Sequence, residues 1–407
     1  MKTTRGPVAL ASMRPALAAA LSFMLAFAQT ALLTVALPQS AAAETLTASP
    51  EGVPLSLVAA VARAADGDTI ELLSGTYTGT LLLEQRRLTL RGPVEGKPAV
   101  VLGNPKPGPI SALWTVRGGD ITVERIEFRG ARAGNGGGAG LRHEGGRLVV
   151  RNSVFFDNEH GLLSTNEPTA ELQIEACVFG LAPKVVGGLY HLLNVGRIGK
   201  LSITGTRFQQ GFEGHLIKSR ARVTFIGYNF IHDGQRGGAS YEIEIAGGGD
   251  ATVIGNVIGQ GAESRNPVVL AYGTEGGDWP LNRLRVSHNT FVNYAWTPAW
   301  FLRVFRDRLK SPTEVLAVNN LLVGPGVFWF GASGTFEGNR HAFRRMLVDA
   351  ETYAFELPVG SVWRHSGVDP HHFHGLDLAP TAEFQWPVGT RPLQPGRTQW
   401  SPGAYQR

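Results

Sequence analysis

Cysteine is nearly missing from this chain: Cys177, within the phrase EACVF, is the only one in 407 residues. No intramolecular disulfide can form, so stability has to come from packing. Cys177 itself reads as a small inward-packed hydrophobe. Basic runs and stripes are also absent. The formal charge is +5, with 38 Lys and Arg against 33 Asp and Glu. Lys2, Arg5 and Arg14 fall in a leader segment, and without them the balance is 35 against 33, about +2. Nucleic acid is therefore not an expected partner. The glycine-rich GNGGGAG at 134–140 has neither a Gly-Lys-Ser/Thr ending nor a following helix. It reads as an inter-strand loop, not a phosphate cradle.

The leader is built from positive charge followed by apolar sequence. Lys2, Arg5 and Arg14 lead into PALAAALSFMLAFAQTALLTVAL at 15–37, and Ala41-Ala42-Ala43 gives a small-x-small site before Glu44. The expectation is a signal peptide over 1–43 and a secreted or periplasmic protein with no membrane span after cleavage. The apolar run is also long enough to stay uncleaved as an anchor.

Glycine is abundant, 52 of 407 residues against a typical ~7%, which favours a β-rich chain with many tight turns. Residues 54–65 place Leu57, Val61 and Ala64 on one helical face, and GDTIELLSGTYTG follows as strand-like sequence. Such a helix suits the role of a plug over the open end of a stack of strands. A phrase then recurs: ITVERIEFRG, LVVRNSVFFDN, LQIEACVFG, LSITGTRFQQG, VTFIGYNFIHD, ATVIGNVIGQG, LRVSHNTFVN and LAVNNLLVG. Its last large apolar residues are Phe128, Phe155, Phe179, Phe208, Phe230, Ile258, Phe291 and Leu322, spaced by 22 to 33 residues. Spacings of this size indicate stacked coils that share a core only through their neighbours. Asn229, Asn256, Asn289 and Asn320 recur at one coil position and can stack as an amide ladder.

On these residues the chain resembles the right-handed parallel β-helix proteins of the pectin-lyase-like superfamily, over roughly 45–335. The resemblance implies an all-β fold, a single-stranded right-handed parallel β-helix with an N-terminal capping helix. The expected division is leader 1–43, β-helix 44–335 and an irregular C-terminal cover 336–407. The superfamily holds lyases, hydrolases, esterases, epimerases and non-catalytic binders, so the fold leaves the function open. Clustered aspartates in NTD or DD phrases, which a polygalacturonase-type hydrolase uses, do not occur.

Titratable residues gather on two adjacent coils, in GFEGHLIKSRAR (211–222) and SYEIEI (240–245). Alternation sends Tyr241, Ile243 and Ile245 to one face and Glu242 and Glu244 to the other. The carboxylates are expected outside, where Lys218, Glu244 and Tyr272 would form a column across rungs ~4.8 Å apart. His215, three residues before Lys218, faces the opposite side on a regular strand, so a bulge is required to join the two.

This set has the parts for β-elimination from a uronic acid: a base, a proton donor and positive charge on the substrate carboxylate. Lys218 can be base or neutraliser; Tyr241, Tyr272 or His215 can donate the proton. Arg220, Arg222 and Glu275 are the expected substrate contacts, and Glu213, Glu242 and Glu244 the candidate Ca²⁺ ligands. The spacing Glu213-x4-Lys218-Ser219 followed by YNF resembles the alginate and chondroitin β-helix lyases. That resemblance implies Lys218 as base and Glu213 as a calcium ligand. The position two before Glu213 is Gly211, and Glu244-Ile245-Ala246-Gly247 stands where those lyases carry Arg-His-Gly. The ligand types in HSGVDPHHFHG (365–375) suit zinc or copper, but their spacing matches no compact metal motif. The expected function is an exported lyase acting on an acidic, uronate-containing polysaccharide, as a monomer. A non-catalytic polysaccharide-binding scaffold and a uronan C5-epimerase are the alternatives.

Overall fold

The computed structural model describes residues 42–84, 86–104, 112–134, 136–331, 333–371 and 375–407. Residues 1–41, which hold most of the expected leader, lie outside the described residues. Among those described, no helix is long and apolar enough to cross a membrane.

Each coil contributes one short strand to each of three sheets, of twelve, ten and eleven strands, and every pairing within them is parallel. Strands next to each other in a sheet come from consecutive coils: Ile217–Ser219 lies between Leu193–Val195 and Ile243–Ile245. With the right-handed crossover that parallel strands adopt, this is the right-handed parallel β-helix expected from the repeat. The helix Leu57–Arg63 begins on Ser56, whose hydroxyl accepts from the Ala59 amide at 3.2 Å. It buries Leu57, Ala60 and Ala64 into the first coil.

Two internal columns show why in-phase phrases produce this stack. Phe128, Phe155, Phe179 and Phe208 stack face to face at 4.5–5.1 Å between centroids, burying large apolar area along the axis. At the corner after each first-sheet strand from Asp120–Glu124 onward one residue is left-handed: Arg125, Asn152, Ala176, Gly205, Tyr228, Gly255, His288, Asn319 and Gly338, with φ of 48–66°. The next residue faces inward, and there Asn229, Asn256, Asn289, Asn320 and Asn339 form the amide ladder, each Nδ2 donating to the next Oδ1 at 2.8–3.0 Å. Asn256 also accepts from the Asn229 amide and donates to the Ile226 carbonyl. Asn256→Ala leaves these buried groups unmet, and an unsatisfied buried group costs ~1–3 kcal/mol. We expect a loss of about 3 kcal/mol, read as a lower denaturant midpoint at unchanged slope.

The structure corrects one register. Phe208 pairs with Ile231, not Phe230, and Ile231 continues to Ile258. Phe230 turns outward and packs with Phe355 and Phe384 of the C-terminal segment. That segment offers an aromatic seat that a repeat pattern cannot reveal. Parallel strands also run past 335, through Thr335–Glu337 and Arg340–Ala342. Beyond them lie a short 3₁₀ turn at Arg344–Met346 and a hairpin of Ala382–Phe384 with Thr390–Pro392. The tail is fastened to the coils by backbone bonds from Gly403 to Asn319 and from Ala404 to the Thr290 hydroxyl.

Candidate active site

The second sheet carries the charged cluster, and a repeated bend explains why its residues meet. At five successive strands of this sheet two consecutive residues enter the core, straddling the strand start at Leu192/Leu193, Leu216/Ile217 and Glu242/Ile243 and lying within the strand at Val269/Leu270 and Phe301/Leu302. The residue before each pair (His191, His215, Tyr241, Val268, Trp300) therefore shares the outer face with the residue after it (Asn194, Lys218, Glu244, Ala271, Arg303). The bend joins His215 to Lys218 without a bulge, and strict alternation applies only inside the three-residue strands.

This geometry corrects the expected orientations. Tyr241 faces outward, its ring 4.8 Å from that of His215. Glu242 faces inward at 0% exposure, in a place that other coils fill with Leu192, Leu216, Val269 and Phe301. Tyr272 is a core residue whose hydroxyl donates to the Gly249 carbonyl; it pairs with Ile245, and Ala271 is the neighbour of Glu244. Arg222 is exposed at the corner leading to the first sheet and forms no ion pair with the cluster.

What remains is compact. The Lys218 ammonium lies 2.8 Å from Glu244 Oε2 and 2.8 Å from Glu275 Oε1. Arg220 grips Glu275 with a fork, Nε at 2.5 Å and Nη2 at 2.8 Å, and its Nη1 reaches Asn194 Oδ1 at 3.2 Å. Thr274 donates to Glu244 Oε1 at 2.5 Å, and His215 Nε2 sits 3.1 Å from Oε2. The ammonium and imidazole meet Oε2 at ion-pair distance but off the angles of aligned hydrogen bonds. Burial pushes the Glu244 carboxyl up, but His215, Lys218 and Thr274 outweigh it and hold the group well below the usual carboxylate range. Glu275 is lowered too, its burial offset by Arg220 and Lys218.

Three histidines continue the outer column toward the N-terminal end. Nδ1 of His160, His191 and His215 each faces the backbone amide of the next rung, at His191, His215 and Tyr241, at 2.9–3.3 Å. An Nδ1 that accepts leaves the proton on Nε2, which at His215 is directed at Glu244; His160 Nδ1 also faces the His191 carbonyl at 3.2 Å, which suits the other tautomer. Burial lowers all three imidazoles from their ordinary value, only partly offset by Glu244 at His215. Glu244 is held by His215, Lys218 and Thr274 together.

The three candidate calcium ligands do not converge. Glu242 is in the core, Glu244 is tied into the cluster, and Glu213 accepts from the Gly187 amide at 2.7 Å in a separate concavity. Among the described residues no group of three or more His, Cys, Asp or Glu is placed to hold a metal ion. A resident Ca²⁺ does not fit this donor set. In the tail, His371 pairs with Asp377 at 3.3 Å, and His372 and His374 lie outside the described residues. A groove of about 620 Å³ runs beside the cluster over Ser164, Asn194, Arg197, Arg220 and Glu275. The larger concavity, about 1500 Å³, holds Glu213 and Arg265 but none of the ion-pair cluster. His160, His191, Asn194 and Thr274 were not among the residues expected from sequence.

No protein-family model matches the chain, and no curated protein sequence matches it. Among solved structures the fold is similar to that of pectate lyase Pel9A, with a TM-score of 0.59 and 14% identity, covering 89% of this chain and 96% of that one. The PL6 family alginate lyase AlyGC is also matched, at a TM-score of 0.38 and 16% identity over 74% of this chain and 40% of that one. At such identity the likeness to Pel9A establishes the β-helix architecture alone.

Proposed function

We propose that the protein is a polysaccharide lyase that cleaves a uronate-containing chain by β-elimination on the outer face of the second sheet. One observation carries this reading: Lys218 and Arg220 together hold a carboxylate, that of Glu275, in the fork-and-ammonium geometry a uronate requires. Glu275 is 40% exposed on the segment after Val268–Tyr272, so it can leave and surrender the place to substrate.

With the sugar carboxylate on Arg220, C5, the carbon bonded to that carboxyl group, comes to lie beside Lys218. Lys218, having released a proton to solvent, takes the C5 proton. The C5–H electron pair becomes the C4–C5 double bond, and the C4–O bond breaks with its electrons on the leaving oxygen. The Tyr241 hydroxyl, without a hydrogen-bond partner among the described residues, supplies the proton to that oxygen. Glu244, anchored by Thr274, holds Lys218 and His215 in place. Pel9A is itself a pectate lyase, which makes polygalacturonate the first substrate to test.

The test is incubation with polygalacturonate, alginate and chondroitin while following the ultraviolet absorbance of unsaturated ends. Signal absent from Tyr241→Phe and Lys218→Ala supports elimination. Binding without signal supports a non-catalytic scaffold, a reading favoured by the saturation of the Lys218 ammonium by two carboxylates. Altered uronate composition without scission supports the epimerase. Glu275→Gln removes the internal competitor while keeping the shape. It should tighten oligouronate binding by about tenfold, an effect of ~1.4 kcal/mol, measurable by calorimetry.

A further inference from the structure

Two strands beyond Glu244, on the same outer face, lies a cation that the chemistry above does not use. Along this face the register runs Asn194, Lys218, Glu244, Ala271, Arg303. The Arg303 guanidinium forms no hydrogen bond or ion pair among the described residues. It is held by rings instead, at 4.5 Å from Trp300, 4.3 Å from Phe305 and 5.4 Å from Phe330. Trp300 and Phe330 stack at 4.4 Å with 6° between their planes, and Phe330 is 47% exposed. Nearby cations on this face are spoken for: Lys218 by Glu244 and Glu275, Arg220 by Glu275. The platform also joins the cluster without a break. Tyr241, which touches the His215 ring, packs with Val268, Ala271, Phe305 and Trp300.

We propose that Arg303 and its aromatic frame form a distal subsite for a second acidic sugar of the polymer bound at Lys218 and Arg220. From the Lys218 rung Arg303 is three strand spacings away, ~14 Å, a span of about three pyranose units. The arrangement suits that occupant in both of its parts. Aromatic faces carry partial negative charge and attract the weakly positive C–H face of a pyranose. A guanidinium fixed over rings keeps outward N–H donors for a carboxylate and loses little side-chain freedom on binding. A neutral sugar would use the rings and leave the charge unanswered; an isolated anion would use the charge and leave the rings bare.

The inference deepens the uronate reading and rests on it, but its test is separable. Binding of galacturonate and of mannuronate/guluronate oligomers, from disaccharide to octasaccharide, is measured by calorimetry on the parent, Arg303→Met and Arg303→Lys. Methionine keeps an apolar stem over the rings and removes the charge. The parent should gain about tenfold in affinity once the oligomer reaches Arg303, whereas Arg303→Met should lose that gain and bind disaccharides as the parent does. Arg303→Lys should retain part of it, and uncharged oligosaccharides should show no such step. An Arg303→Met length profile equal to the parent's, or a parent that gains nothing with length, overturns the subsite. A step that persists without unsaturated product leaves the subsite standing and removes the lyase; product without the step does the reverse.

Discussion

Lys218→Ala should reduce formation of unsaturated product by about 10²–10⁴-fold, the range expected for loss of a general base. The side chain is on the outer face but buried against Glu244, so its removal also leaves that carboxylate without its ammonium partner and costs some stability. A single cooperative melting transition well above the assay temperature is the control. Because Arg220 keeps its fork, oligouronate binding should survive far better than turnover, and the loss should fall on kcat. Lys218→Arg separates the two roles open to this residue. Arginine preserves the positive charge between Glu244 and Glu275 but cannot give up a proton at working pH. If Lys218 is the base, arginine will be as inactive as alanine. If it only neutralises charge, arginine will retain most of the rate, and the assignment of the base fails.

Glu242→Leu should make the protein more stable by about 1–4 kcal/mol, the gain seen when poorly compensated buried charge is replaced by packed hydrophobe. Glu242 is wholly buried, neither carboxyl oxygen has a partner, and the two preceding coils place leucine, Leu192 and Leu216, at the same position. Burial, reinforced by the nearby Asp233 carboxylate, pushes its carboxyl well above the ordinary 4.5. Asp233 is raised to about 7 by burial, against the amides of Ala239 and Gly211 that it accepts. Both groups hold protons when folded that they lose on unfolding, so the stability these two contribute is fully present below about pH 4 and falls as pH rises toward about 7. His143, His232 and His288, lowered by burial to about 4, 3 and 3, act oppositely, destabilising the fold as pH falls below 6.5. The difference between parent and variant isolates the Glu242 contribution. It should grow with pH, and denaturant titrations at several pH values measure it. A Glu242→Leu protein less stable than the parent at neutral pH would mean that the carboxyl has a compensating partner.

Much of the architecture could be read from the chain because each repeat phrase dictates both a strand and the turn after it. The asparagine column was legible for the same reason: an amide at one corner position in successive coils has only its neighbours to bond. The register slip at Phe230 was not, since the residue that lures it outward lies in the distant tail. At the site, alternation failed because it belongs to strands, whereas His215, Tyr241 and Glu242 precede them. A signal for the bend was present in HLLN, HLIK, YEIE, VVLA and WFLR, where two core residues are flanked by two outer ones. Read that way, Glu242 falls inside, Tyr241 outside, and Arg303 on the row of Lys218 and Glu244. Thr274 carried no such signal; it comes from the loop after its strand, where repeat phase is lost.

The crystal structure of Lys218→Ala soaked with a galacturonate oligomer tests the central claim most directly, because it locates the substrate carboxylate. The expected result is that carboxylate in the Arg220 fork, Glu275 turned away, and C5 facing the emptied position of the lysine. An oligomer bound elsewhere, with the Arg220–Glu275 pair intact, would contradict it.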